Sequence, residues 1–296
     1  MALLEFRHVW FRYPNTLTPV LQDCSVTLDK GRKTVVLGLN GSGKSTLFYL
    51  AAALYRCDRG ELYWQGQRLV HQPATLRQWR QRVGLAFQDP EQQLVAATVA
   101  EDISYGLCNL ELPTPELESR LEQALRDFDL LELAECPLHH LSLGQKRRVA
   151  LAGVMALAPA LLLLDEPTTY LDHPQAEHLW AVLERIHAAG TTIVIATHDL
   201  DFAYHWADWV IILANGQVVV SDRADVIFSQ WQTQAACQSL GIPTLLKLWL
   251  SLPPAWRRQR LAPRTVEAFR HALGELFRDL LGHPSTRIFR KQDEKW

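Results

Sequence analysis

The sequence predicts an α/β fold organised around a phosphate-binding loop. Three observations carry that prediction. Residues 38–46 read Gly-Leu-Asn-Gly-Ser-Gly-Lys-Ser-Thr, a complete G-x-x-x-x-G-K-S pattern. The pattern lies between an apolar β-type run, 34–37, and a helical stretch, 47–54, the context it needs. Two further apolar runs, 161–164 and 191–196, read as strands buried on both faces, as in a parallel sheet.

The loop explains its own composition. Gly38, Gly41 and Gly43 let the backbone curl so that its N–H groups, with those of Asn40 and Ser42, face one anion. The helix that follows adds its positive end. Lys44 supplies a mobile charge for the β- and γ-phosphates, Ser45 a hydroxyl for Mg²⁺, and Thr46 completes the motif. The expected ligands are a nucleoside triphosphate, ATP, and Mg²⁺.

The bulk properties narrow the class. The chain has 296 residues and 48% hydrophobic content, enough for a sizeable core. A net charge of −2 offers no whole-chain case for nucleic acid. From Ser251 onward ten basic residues face five acidic ones, a local +5 against −7 for residues 1–250. Five scattered cysteines with no C-x-x-C pair suit a reduced compartment. No signal peptide is expected, since Glu5 and Arg7 interrupt the start. The uncharged run 149–164 is short for a membrane span and carries Pro159, so it reads as a buried helix and then a buried strand.

Taken in order, residues 3–7 and 24–28 alternate as strands. Between them, Trp10 and Phe11 read as packing, and Tyr13, before a Pro-Asn turn, offers a flat face to a purine. Residues 60–70 have period-2 character with turn glycines. The strand 82–87 runs into Gln88, a neutral ligand for Mg²⁺ or water at a strand end. Residues 98–135 look helical, with one regular helix over 116–133. Cys136-Pro137-Leu138-His139-His140 invites a metal reading, but adjacent histidines do not easily share an ion and further ligands are not evident. Ser142 with Gln145 three later is a capping-box pattern, with Leu141 as the staple, and the positive helix start there is a second anion site. The strand 161–164 ends in Asp165, placed to hold Mg²⁺, and Glu166, placed to orient or deprotonate a water. The strand 191–196 ends near His198, expected on the γ-phosphate. Residues 210–220 form a hairpin with an Asn-Gly turn. After Asp222 the character changes. An apolar run, 245–252, and an amphipathic helix, 265–281, follow, and the last ten residues read as mobile.

The order of these pieces resembles the ATP-binding-cassette (ABC) ATPases. Tyr13, residues 38–46, Gln88, residues 141–145, residues 161–166, Leu171-Asp172 and His198 correspond in turn to the adenine-stacking aromatic, Walker A, Q-loop, signature, Walker B, D-loop and switch histidine. A narrower resemblance, in residues 88–94, 98–107 and 145–153, points to energy-coupling-factor importers of the cobalt/nickel type. The signature differs in one place: Leu143 stands where the family has its first glycine, while Ser142 and Gly144, which bear on the γ-phosphate, remain.

The resemblance implies a nucleotide-binding domain with a P-loop core sheet, an antiparallel β subdomain and a helical signature subdomain. The expected division is 1–222 for the ATPase and 223–296 for a helical extension not needed for nucleotide binding. It implies ATP hydrolysis with Glu166, His198 and Gln88 catalytic, Mg²⁺ on Ser45, Gln88 and Asp165, and the partner's phosphates on Ser142, Gly144 and Gln145. The partners are then a second copy of the chain, a membrane coupling subunit and a substrate-capturing membrane subunit, without nucleic acid, at the cytoplasmic face of the inner membrane. The cargo is cobalt, nickel or a vitamin. Two other readings compete: the ATPase of another ABC transporter, and a soluble cassette acting on DNA or ribosomes. Only 98 positions separate Lys44 from Ser142, too few for the coiled coil of the DNA-repair members, and the chain has one cassette.

Overall fold

The computed structural model describes residues 1–110, 112–257 and 260–282. Half of the basic residues counted from Ser251 onward, and all of the last ten residues, lie outside them. Strands β1 (Ala2–Phe11) and β2 (Leu21–Asp29) pair antiparallel, and β3 (Lys33–Leu37) leads through the phosphate loop into α1 (Lys44–Ala51). The hairpin β4 (Arg59–Trp64) and β5 (Gln67–Arg68) completes an antiparallel sheet of order β2-β1-β4-β5. Next come α2 (Pro73–Arg82) and β6 (Val83–Ala86). Helices α3 (Val99–Cys108), α4 (Thr114–Asp127) and α5 (Leu143–Ala156) pack on one another as a helical subdomain.

The chain then returns to the core with β7 (Leu161–Asp165), α6 (His173–Ala188), β8 (Thr192–Thr197), α7 (Leu200–Trp206), β9 (Trp209–Ala214) and β10 (Gln217–Arg223). The second sheet has the order β10-β9-β3-β8-β7-β6, parallel except for the β9–β10 hairpin. Every residue of β7 and β8 is buried, which is why they read as unbroken apolar runs. The order places the carboxyl ends of β3, β8, β7 and β6 side by side, where α/β sheets hold ligands. At the Asn-Gly turn, Asn215 (φ 49°) and Gly216 (φ 76°) are both left-handed, as the hairpin requires. The expected α/β fold, with its antiparallel and helical subdomains, is therefore observed.

One helix ends early. The sequence predicts a helix over 116–133, but α4 stops at Asp127. Phe128 and Leu130 are both buried, and residues two apart point to opposite sides of a helix. Asp129, left-handed at φ 53°, turns the chain so that both reach the core.

Beyond β10 lie α8 (Ala224–Ser229), α9 (Ala235–Gln238), α10 (Thr244–Ser251), α11 (Pro254–Arg257) and α12 (Val266–Gly282). The sequence sets a division at Asp222, yet Ile227, Phe228, Trp231, Cys237, Leu246 and Trp249 share one buried core with Val35, Leu164 and Ile195 of the central sheet. Side chains also bind this segment to α7. Asp201 accepts bonds from the backbone N–H and hydroxyl of Thr244, and Arg264 donates to the carbonyls of Tyr204 and Ala207. Along α12, Leu276 is buried while Val266 and Phe277 are exposed.

Trp231 is 1% exposed, stacks on Phe228 at 5.0 Å and donates from Nε1 to the carbonyl of Gly241 at 2.6 Å. Trp231→Ala is expected to cost about 3–5 kcal/mol by emptying that site. The urea midpoint should fall by that cost divided by an unchanged m-value. A midpoint within error of the parent would show that this segment packs apart from the central sheet. By the same packing, cutting the chain at Asp222 strips a face of the core.

Candidate functional site

The four adjacent strand ends open into a cleft of about 510 Å³, lined by Tyr13, Val20, Asn40, Gly41, Gly43, Lys44, Ser45, Thr46, Gln88, Asp165, Glu166 and His198. Residues from five separated stretches of sequence thus meet in one place. Gly38 and Ser42 form the back of the loop. A Cβ on Gly38 would sit 2.4 Å from the carbonyl of Leu213, so that position tolerates no side chain. Gly43, the N-cap of α1, holds φ 106°, a conformation open to glycine.

Lys44 reaches back over the loop. Its Nζ donates to the carbonyls of Gly38 at 2.8 Å and Leu39 at 3.3 Å. Burial pulls its pKa below the usual lysine range, against the opposing pull of Glu166 and Asp165. A phosphate placed here would give the ammonium a stronger partner than two carbonyls. Tyr13 shares a hydrogen bond with Thr46 Oγ1 at 3.0 Å, and its ring meets Phe11 and Tyr55 edge-on at 5.0 and 5.5 Å. The tyrosine is thereby fixed at the rim by its hydroxyl and by two rings.

The two acids differ in surroundings. Asp165 is 1% exposed, and its Oδ2 has no hydrogen-bond partner among the described residues. Burial raises its pKa, Glu166 adds to the rise, and a hydrogen bond from Ser45 opposes it. A buried, unpartnered carboxylate oxygen beside a hydroxyl, with the Gln88 amide in the same cleft, is a hard-oxygen donor set. Ser45, Gln88 and Asp165 therefore fit Mg²⁺. Glu166 instead has both oxygens engaged: Thr197 Oγ1 donates to Oε2 at 3.0 Å, and His198 Nδ1 lies 2.7 Å from Oε1. With Nδ1 as donor, the ring orients the carboxylate. Glu166 is also left-handed, at φ 46°, a strain of about 1–3 kcal/mol that functional sites tolerate.

Two residues here were not legible in the sequence. Thr197 ends β8 as an ordinary strand-end hydroxyl. Arg147 is 0% exposed and gives its guanidinium wholly to backbone carbonyls. Its Nε donates to Pro167 (3.1 Å), Nη2 to Asp165 and Glu166 (2.9 Å each), and Nη1 to Phe87 and Gln88. Burial lowers its pKa to about 10. In the sequence it stands beside Arg148 with nothing to tell the two apart.

Ser142, Gly144 and Gln145 are not brought to the cleft. They open α5, where the expected capping box forms: Ser142 N donates to Gln145 Oε1 at 2.8 Å, and Gln145 N to Ser142 Oγ at 3.3 Å. A Cβ on Gly144 would meet the carbonyl of Tyr170 at 3.0 Å, so α5 begins against the loop that follows Glu166. Leu143 is 45% exposed.

A second hollow, about 520 Å³, lies beside the Gln88 segment and is lined by Glu91, Leu94, Val95, Ala96, Ala97, Thr98, Pro137, Leu138, His139 and Lys146. Asp102 Oδ1 holds the loop by accepting from Val95 N (2.7 Å) and Ala96 N (3.0 Å). Gln93 braces this loop from within. Its Oε1 accepts from Phe87 N at 3.1 Å and its Nε2 donates to the carbonyl of Ala150 at 3.0 Å.

Known proteins resemble the chain over most of its length. A family model described as ABC transporter matches residues 21–169. The chain is 73% identical over 95% of its length, and 98% of the other, to a protein of Thermosynechococcus vestitus provisionally named an ABC transporter ATP-binding protein. It is 40% identical, over 83% of its length and 89% of the other, to the energy-coupling factor transporter ATP-binding protein EcfA of Carboxydothermus hydrogenoformans. It is 41% identical, over 84% and 89%, to the cobalt import ATP-binding protein CbiO of Rhodobacter capsulatus. Among solved structures it resembles CbiO1 of Clostridium perfringens, part of the ABC transporter complex CbiONQ. The TM-score is 0.70 and the identity 31%, with 86% of this chain and 97% of the other covered.

Proposed function

The chain belongs to the ABC transporter family of ATP-binding proteins, and from that premise we propose that it is the ATP-hydrolysing motor of an energy-coupling-factor importer. Its cargo is a metal ion, cobalt or nickel, or a vitamin. The named likenesses to EcfA and CbiO support this reading. The observation that carries it is the hollow beside the Gln88 segment. It is apolar at Leu94, Val95 and Leu138, and Gln93 ties its rim to the end of β6, next to Gln88. A helix of a membrane subunit seated there would feel any shift of that strand end. No helix among the described residues is long and apolar enough to cross a membrane, so the membrane-spanning part falls to partner subunits. The chain then works peripherally, on the cytoplasmic face.

In the cleft, the loop N–H groups and Lys44 hold the phosphates and Tyr13 the purine. Ser45, Gln88 and Asp165 would hold Mg²⁺, which would supply positive charge against the phosphates. Glu166 takes a proton from the attacking water, and His198 holds the carboxylate and contacts the γ-phosphate. Ser142 and Gly144 of a second copy, in a homodimer, close the site from above. The division at Asp222 is then one of labour, residues 1–222 holding every site residue and 223–296 serving assembly.

The test is Val95→Asp. Val95 is 67% exposed in the hollow, away from the cleft. ATPase activity of the isolated chain should stay within about twofold. Charging a central contact costs roughly 2 kcal/mol or more, so capture of the co-expressed membrane subunit should weaken about 30-fold and uptake fall with it. Unchanged capture and unchanged uptake would overturn the docking site.

A further inference from the structure

We propose that Arg147 is a positioning residue for hydrolysis: it ties the helix that begins at Ser142 to both strand ends that carry Gln88 and Glu166, and it fixes the backbone of Glu166. Nη2 donates to the carbonyls of Asp165 and of Glu166, the two peptide units that flank the Glu166 Cα. Fixing both planes fixes φ and ψ of that residue, which holds a left-handed conformation glutamate otherwise avoids. Nη1 donates to the carbonyls of Phe87 and Gln88 at the end of β6. One planar fork thus spans two strand ends, and Nε adds Pro167.

The charge of Arg147 is fully buried, and among the described residues it forms no ion pair, the Asp165 and Glu166 charges acting on it only from farther off. A lysine would carry the same charge, but its three donors leave from one atom. They cannot span the same five carbonyls. The geometry requires a fork.

The consequence is a link between two sites of one chain. Arg147 lies on α5, five residues after Ser142. When Ser142 receives the phosphates of a partner copy, any rotation of α5 moves the guanidinium and, through it, Glu166 and Gln88. Filling one site of the dimer then adjusts the catalytic acid of the other. This rests on the reading of Glu166 as the base and of the dimer as head-to-tail.

The test is Arg147→Lys in the full chain, with Glu166→Gln assayed beside it. The expected result is a fall in kcat of at least about 30-fold with the dissociation constant for ATP within about threefold of the parent. ATP cooperativity in turnover should also disappear. Equal losses of ATP affinity and folded fraction, with kcat per folded molecule intact, would mean a merely structural arginine and overturn the proposal. So would unchanged kcat. If Glu166→Gln keeps turnover, the reading of the base has failed, and this result is separate from either outcome for Arg147. Should the lysine chain not fold, hydrogen exchange on the parent decides. ATP, in a mixed dimer whose observed chain carries Lys44→Ala, should protect residues 143–146 and 165–168 of that chain together. Protection of 143–146 alone, or of neither, overturns the link.

Discussion

Glu166→Gln is expected to bind ATP with unchanged affinity and to lose hydrolysis by about 10²–10⁴-fold. The amide keeps the size of the side chain and can still meet Thr197 and His198, which hold its two oxygens at 3.0 and 2.7 Å. It cannot accept a proton. The left-handed backbone at Glu166 is unaffected, since glutamine has the same Cβ and the bonds from Arg147 go to carbonyls. Single-turnover measurements should show the loss in the chemical step, with nucleotide retained. Near-parent turnover would remove Glu166 from the role of base and leave proton transfer to another group. Asp165 is poorly suited to that role, because its free oxygen fits the metal.

Ser142→Arg is expected to abolish ATPase activity of the homodimer, by about 10²–10³-fold, while leaving ATP binding by the single chain intact. Within one chain Ser142 does not line the cleft, so a cis effect on binding is excluded by geometry. Its hydroxyl, which caps Gln145 N within the chain, and the positive start of α5 face no phosphate of their own chain's cleft, so an anion there has to come from a second copy. Mixing supplies the sharper test. A Lys44→Ala chain and a Ser142→Arg chain are each inactive alone. Together they form dimers with one doubly damaged site and one intact site. Random pairing should restore roughly a quarter of parent activity, as half the dimers are mixed and each carries one good site. No recovery on mixing, or equal activity of the Ser142→Arg chain alone, would argue against a shared site.

The extent to which these residues were legible follows from how local their signals are. The phosphate loop announces itself because each glycine answers a backbone demand within a few residues, as at Gly43 with φ 106°. Asp165 and Glu166 were legible because a fully apolar strand has little reason to end in two acids. The capping box at Ser142 and Gln145 is complete within four residues. Arg147 and Thr197 were not legible, since their partners are separated from them by 18 to 60 residues. The bracing role of Gln93 was not legible for the same reason, since one of its partners, Ala150, lies 57 positions away. The early end of α4 at Asp127 depends on where the core lies relative to Phe128 and Leu130, which helical periodicity alone does not say.

The sequence by itself determined the chemistry this chain can perform: a cradle for a triphosphate, a donor set for a hard cation, an acid at a strand end and a helix start able to meet an anion. Those features are set by a few consecutive residues and by the hydrophobic periods of their strands and helices. Only the tertiary structure decided which features cooperate. The strand order β3-β8-β7-β6 does not follow the chain, and it is this order that draws Lys44, His198, Glu166 and Gln88 into one cleft. The structure also carries the segment after Asp222 into the core of the catalytic sheet. It buries one arginine of an adjacent pair where five carbonyls converge, while the other bonds to the turn after α4. The physical reason is that burial and long-range hydrogen bonding belong to the assembled core, where apolar surface drives the packing and every polar group inside must find its partner.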